Sequence, residues 1–288
     1  MKKTIILSTL IAAFTLSLAG CGRSTLSVDK SKYAPSGLTA VVQGKSNQKE
    51  INYQIPGQAK QAQKVQNGTF SFMVPAKLFN QNIKVTSANL SKNVKVTRAK
   101  PMIKYSKLAK NYNQALIGMN LSKSQQRAAL NLKKQAAALK TAQPSLALMQ
   151  KAAVLKKEQA NLTSAMNKAK AKVSDQLLPT KATNGIKNYV NTNSHTIRIN
   201  VDNDQVIGIA TILPIHALKN KSLAQKFIVS FSILGSELGA NSKKVLKEFQ
   251  NETKSGNSSQ TTIKTITSNK IKYDIGFSTT SLYIYITR

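Results

Sequence analysis

The stretch Asn67-Gly68-Thr69-Phe70-Ser71-Phe72-Met73-Val74-Pro75 decides the fold class of the first third of this chain. In an extended chain successive side chains point to opposite faces, so Phe70, Phe72 and Val74 share one face and Ser71 and Met73 the other. Asn67-Gly68 is a turn signal and Pro75 a stop. Working outward, Leu38 to Gln43, Glu50 to Ile55, Gln61 to Gln66, Ile83 to Ser87 and Val94 to Arg98 are further short β-prone runs, punctuated by Gly44 and Pro56-Gly57. Strands at this spacing with turns between them predict a sandwich of two sheets over residues 37–100.

Followed by Ile83-Lys84-Val85-Thr86-Ser87, the same stretch resembles the bacterial Ig-like modules of surface proteins. In those modules a turn, a Gly-aromatic strand and a later β-branched strand recur at about this spacing. The resemblance spans residues 37–99 and implies an all-β Ig-like sandwich acting as a spacer or adhesive unit. It implies no chemistry, because function belongs to sites and not to folds.

Residues 101–178 change character: Ala, Gln, Lys and Leu dominate and no glycine follows Gly118. Leu108, Tyr112, Leu116 and Met119 form one helical stripe. Ser122 with Gln125 is a capping box, and a second helix runs to about Ala142. Pro144 breaks it and fits the first turn of the next. There Leu148, Ala152, Leu155, Gln159, Leu162, Met166, Ala169 and Val173 alternate spacings of four and three, a coiled-coil-like rhythm. The expected arrangement is an antiparallel α-helical hairpin bent at residues 141–145. Its seam is thin and its acids are Glu158 and Asp175 alone, so Lys133, Lys134, Lys140, Lys151, Lys156, Lys157, Lys168, Lys170 and Lys172 have almost no intramolecular partners. Two readings follow: a cationic rod lying against phosphate-rich polymer or headgroups, or a spacer whose lysines are simply solvated.

Residues 179–288 read as a small α+β domain. Ile197 to Val201 and Val206 to Leu213 are strands around Asp202-Asn203-Asp204. Ser222 and Gln225 read as a capping box at the start of a helix, a shorter helix follows Asn241-Ser242, and strands cover Thr261 to Thr267, Lys270 to Phe277 and Ser281 to Thr287. The order ββααβββ predicts an antiparallel sheet with helices on one face. Tyr283 and Tyr285 share one face of the final strand; if that face is open, they make an aromatic patch suited to a sugar or a protein partner.

At the other end of the chain, Lys2 and Lys3 precede an apolar run, Ile5 to Leu18, too short for an ordinary membrane span. The run closes on Leu18-Ala19-Gly20-Cys21. This resembles the lipobox of bacterial lipoproteins, over residues 1–21. The resemblance implies that residues 1–20 are a cleaved signal peptide and that the Cys21 thiol carries diacylglycerol. Residues 21–36 would then be a lipidated tether holding the protein on the extracytoplasmic face of the cell membrane. Two acyl chains give stable anchoring where one gives marginal binding.

Charge is abnormal, with 43 Lys and Arg against 10 Asp and Glu and a formal net charge of +33. The excess runs through every region and is greatest in the middle one. Such a field attracts polyanions by counterion release. For an exported lipoprotein the candidate partners are anionic phospholipid, teichoic acid and another envelope protein; no nucleic acid is expected. Whole-secretome charge adaptation without a specific ligand is the alternative.

The materials for catalysis are scarce. His195 and His216 have no companions at metal-ligand spacing, and Cys21 is assigned to lipid. Asp202-Asn203-Asp204 lacks the glycine and glutamate of a calcium loop and reads as a hairpin turn. Ser46-Asn47-Gln48-Lys49 falls between strands, not at a helix start, and Gly235-Ser236-Glu237-Leu238-Gly239 places its glycines wrongly for a nucleophile elbow. No catalytic residue, metal site or cofactor is assigned. The expected function is non-enzymatic binding or scaffolding on the envelope; the alternative is a solute-binding or transport-accessory lipoprotein with a pocket in the C-terminal domain.

Overall fold

The computed structural model describes residues 23–139, 146–255 and 262–288. The expected signal peptide, Cys21 and the expected bend at 141–145 lie outside them. The described chain is an all-β N-terminal region, then helices, then a sheet-rich C-terminal region.

The N-terminal strands are β1 (Leu26–Val28), β2 (Lys32–Tyr33), β3 (Thr39–Ser46), β4 (Glu50–Gln54), β5 (Gln61–Lys64), β6 (Thr69–Pro75), β7 (Gln81–Ser87) and β8 (Leu90–Val96). They form two sheets, ordered β1-β3-β6 and β2-β8-β7-β4-β5, around one core. Phe70, Phe72 and Val74 of β6 point into that core, and Phe72 stacks on Tyr53 with ring centroids 3.9 Å apart. Asn67 and Gly68 have φ of 50° and 75°, and Gln66 and Thr69 exchange backbone hydrogen bonds around them. Two consecutive left-handed residues match the right-handed strand twist, which is why Asn-Gly is used.

Residues 23–36, expected as part of a tether, are drawn into this region. Leu26 and Tyr33 are buried, β1 pairs antiparallel with β3, and β2 pairs parallel with β8. One buried side chain per strand suffices because the ladder hydrogen bonds come from the partner strands.

The next elements are β9 (Ile103–Lys104), α1 (Tyr105–Met119), α2 (Lys123–Leu139) and α3 (Leu146–Lys172), followed by a 3-10 turn at Ser174–Gln176. The segment expected to be one helical unit is divided. Leu108, Tyr112 and Leu116 of α1 pack into the C-terminal core, whereas Met119, at the end of the same stripe, is exposed. The Tyr112 hydroxyl meets Ser230 Oγ at 2.7 Å, and burial pushes its pKa up to about 12. Helices α2 and α3 pack on each other, and the capping box at the start of α2 is made in both directions: Ser122 N donates to Gln125 Oε1 and Gln125 N to Ser122 Oγ.

The C-terminal strands are β10 (Gly185–Asn191), β11 (Thr196–Asp202), β12 (Gln205–Pro214), β13 (Thr262–Ser268), β14 (Ile271–Phe277) and β15 (Ser281–Thr287). Helices α4 (Ile215–Lys219), α5 (Lys221–Glu237) and α6 (Ser242–Ser255) stand between β12 and β13. The sheet runs β10-β11-β12-β15-β14-β13, antiparallel throughout, with β9 added on β12. Relative to the expected ββααβββ order, β10 and the short α4 are additions. In β10 a register shift between Asn188 and Val190 breaks the alternation and Val190 is its buried residue, so the sequence pattern is weak. The α5 cap is Asn220, whose side chain accepts from Ser222 N and Leu223 N, in place of the expected Ser222-Gln225 box.

Helices α1 and α5 pack on one face of this sheet. The N-terminal region docks on the other. Asn200 Nδ2 donates to the Leu38 and Ala76 carbonyls at 3.2 and 3.0 Å. Asp202 accepts from Leu78 N at 3.0 Å and pairs with Lys77 Nζ at 3.2 Å. Gly37, at φ 64°, lies against the Tyr285 ring so closely that a Cβ there would come 2.8 Å from Cδ1. Replacing Asp202 with Ala leaves Lys77 unpaired beside a buried surface, a loss of about 3 kcal/mol for a mostly buried pair. We expect Asp202→Ala to accelerate proteolysis within 97–101 and to separate the melting of the two regions; an unchanged cleavage rate would show that the pair does not hold the junction.

Candidate anion-binding surfaces

Of the nine lysines assigned to anion binding, Lys140 lies outside the described residues. Lys133, Lys134, Lys151, Lys156, Lys157, Lys168, Lys170 and Lys172 are all exposed. Among the described residues none of the eight forms an ion pair; the pairs present are Lys77–Asp202 and Lys244–Glu248. At 3.6 residues per turn the α3 lysines fall on several sides of the helix, so the rod is cationic around its circumference rather than along one stripe. The expected seam is narrower than its sequence rhythm. Leu155, Ala169 and Val173 are buried and Leu162 half-buried, whereas Ala152, Gln159 and Met166 are exposed. A groove of about 390 Å³ between α2 and α3 is lined by Gln125, Leu132, Glu158 and Leu162 among others. Leu130, Leu146, Met149 and Val154 are also exposed on the hairpin.

A second concentration of cations lies at the junction of the two regions, and sequence reasoning missed it. A cleft of about 440 Å³ opens between the β2–β3 loop at 34–37, the connector Thr97–Lys100, strand β14 and the end of β15. Arg98, Lys100, Lys272 and Arg288 line it, with Asp274 the acid. The Asp274 Oδ1 accepts from Thr265 Oγ1 at 2.6 Å, and Arg288 Nη1 reaches the Pro101 carbonyl at 3.4 Å. Six separate segments build the cleft, so no local motif signals it; only the Arg98 to Lys100 run hints at charge there.

Tyr283 and Tyr285 are half-buried on the face of the sheet away from the helices, with rings 6.3 Å apart and 13° from parallel. Burial, then Tyr283, raises the Tyr285 pKa above the tyrosine norm, and Arg198 opposes this. The docked N-terminal region covers part of this face through Gly37, so the patch is smaller than the sequence suggests.

The other candidate residues sit elsewhere in the fold. His195 is fully buried: Nδ1 meets Ser194 Oγ at 2.9 Å, the ring edge faces Phe227, and Nε2 has no protein partner. Burial lowers its pKa to about 4, which nearby Asp175 partly opposes and Lys226 reinforces. His216 is exposed on α4. The two carboxylates of Asp202-Asn203-Asp204 are engaged by protein donors: Asp202 as above, and Asp204 by Ser106 N and Oγ at the start of α1. Asn203 and Asp204 have positive φ, so this is a tight β11–β12 turn. Ser46 Oγ is buried against the Thr25 carbonyl and Ser87 Oγ. Gly235 is buried inside α5, and Gly239 follows its C-terminal end at φ 79°.

No protein-family model and no curated protein matches this chain. Among solved structures, a partial likeness is to the crystal structure of an FMN-binding beta-glucuronidase from Facaelibacterium prausnitzii L2-6. It is 15% identical, with a TM-score of 0.24 over 27% of this chain and 12% of that one. A likeness this partial carries no argument about the chemistry of this chain.

Proposed function

We propose that this is a lipid-anchored, non-enzymatic protein of the cell envelope, held by Cys21 on the extracytoplasmic face. Its cationic helical hairpin engages anionic envelope polymer such as teichoic acid, or anionic phospholipid headgroups. In this reading the N-terminal β region is an Ig-like spacer and the C-terminal region fixes the root of the hairpin.

The observation that supports it is the set of exposed hairpin lysines without ion pairs among the described residues. Like charges held on one rod repel, and a polyanion relieves that repulsion while releasing its own counterions. Each lysine contributes little alone; several acting on one polymer give useful affinity.

The test is sedimentation of the form starting at Gly22 with purified cell walls that carry or lack teichoic acid, and with anionic vesicles, across a salt series. Binding to one of these polyanions that falls steeply as salt rises is the expected result. Absence of binding at low salt would overturn the role.

A further inference from the structure

We infer that the cleft at the junction of the two regions is a binding site for a phosphorylated polyol or sugar. The cleft is distinct from the hairpin and the inference does not depend on polymer binding there. Its volume of about 440 Å³ falls in the range of small-ligand pockets.

The charges facing it are unusual in their arrangement. Lys272 and Asp274 are two residues apart on β14 and so share a face, yet they do not pair. Among the described residues Arg98, Lys100 and Lys272 form no ion pair with any acid. With Arg288, whose guanidinium reaches the Pro101 carbonyl, four cations face one concave site and focus a positive field. Arginine adds a planar fork that matches phosphate oxygens.

An anion alone would not suit the site, because the Asp274 carboxylate also lines it. That carboxylate receives one hydrogen bond, from Thr265, and retains acceptor capacity toward the cleft. A ligand with phosphate at one end and hydroxyls at the other satisfies both: phosphate on Arg98, Lys100 and Lys272, hydroxyls on Asp274. Inorganic phosphate meets the cations and is repelled by the carboxylate. A neutral polyol meets the carboxylate and leaves the cations unneutralised.

The placement has a structural effect. Arg98 and Lys100 belong to the connector between the regions, whereas Lys272 and Asp274 belong to the C-terminal sheet. A ligand bridging them ties the connector to the sheet beside the Asp202 clamp.

The experiment is calorimetric titration of the Gly22 form with sn-glycerol 3-phosphate, with glycerol and inorganic phosphate in parallel. It is run at about 0.5 M salt, where exposed charges are screened within a few ångströms. A monovalent small probe gains nothing from multivalent contacts on the hairpin. Saturable binding of glycerol 3-phosphate is expected, about tenfold or more tighter than either fragment, the scale of one charge-assisted hydrogen bond. The double variant Arg98→Ala and Lys272→Ala should lose that binding, and Asp274→Asn should lose the preference over inorganic phosphate. All three side chains are partly or fully exposed, so unchanged melting curves check that the variants fold. No saturable binding, equal affinity for inorganic phosphate, or full affinity in the double variant would each overturn the inference.

Discussion

Changing Lys151, Lys156, Lys157 and Lys168 together to Gln should weaken binding to teichoic-acid-bearing walls, or to anionic vesicles, by about a hundredfold to a thousandfold at low salt. Each basic side chain near an anionic surface contributes roughly 1 kcal/mol, and less where contact is incomplete. The slope of affinity against salt should flatten at the same time, because fewer counterions are released. Glutamine keeps the helical propensity and all four positions are exposed, so helix content should not move. An unchanged affinity with unchanged helicity would assign those lysines to the solvated-spacer reading.

Acid should destabilise the C-terminal region through His195. Its pKa is about 4 in the folded chain against 6.5 for the free side chain, so between these values the unfolded chain binds the proton and the folded chain does not. Stability from this group is therefore full above pH 6.5, falls as the pH drops toward 4, and is constant below it. The span corresponds to about 3 kcal/mol. Protonation would place a cation beside Phe227, with Nε2 lacking a protein partner. Urea unfolding at neutral pH and near pH 4.5 should show this loss, and His195→Gln should remove most of the difference between the two conditions. Parallel losses in both proteins would assign acid sensitivity to the general charge excess.

Legibility in the sequence varied with the range of the interaction that fixes each element. The Asn67-Gly68 turn and the Phe70, Phe72 and Val74 face were readable because two adjacent left-handed residues and a period of two are local demands. The Ser122-Gln125 box was readable for the same reason. The stripe of α1 was readable as a stripe, but its destination was not. Leu108, Tyr112 and Leu116 say that one face is buried, not that it is buried on a sheet beginning at Gly185. Strands β1 and β2 each carry a single buried side chain in polar sequence and left no periodic signal.

The site was less legible still. The lysine excess could be counted, and its location on the hairpin followed from composition. The junction could not be read, because Asn200 and Asp202 bind backbone groups 124 and 162 residues away. An asparagine or aspartate within a β strand has many possible partners, and sequence does not choose among remote carbonyls. The cleft inherits that difficulty, since docking creates it.

The sheet order β10-β11-β12-β15-β14-β13 places the strand of residues 281–287 between two strands that precede it in sequence. During synthesis the N-terminal sheets have all their strands by Val96, but the C-terminal sheet waits for its interior strand. Until Ser281 to Thr287 emerge, β12 and β14 each have an open edge, and Ile284 and Ile286 are missing from the core that α1 helps to close. A nascent or truncated chain ending before Ser281 would thus combine a finished N-terminal region with two adhesive strand edges, the condition in which chains pair with one another.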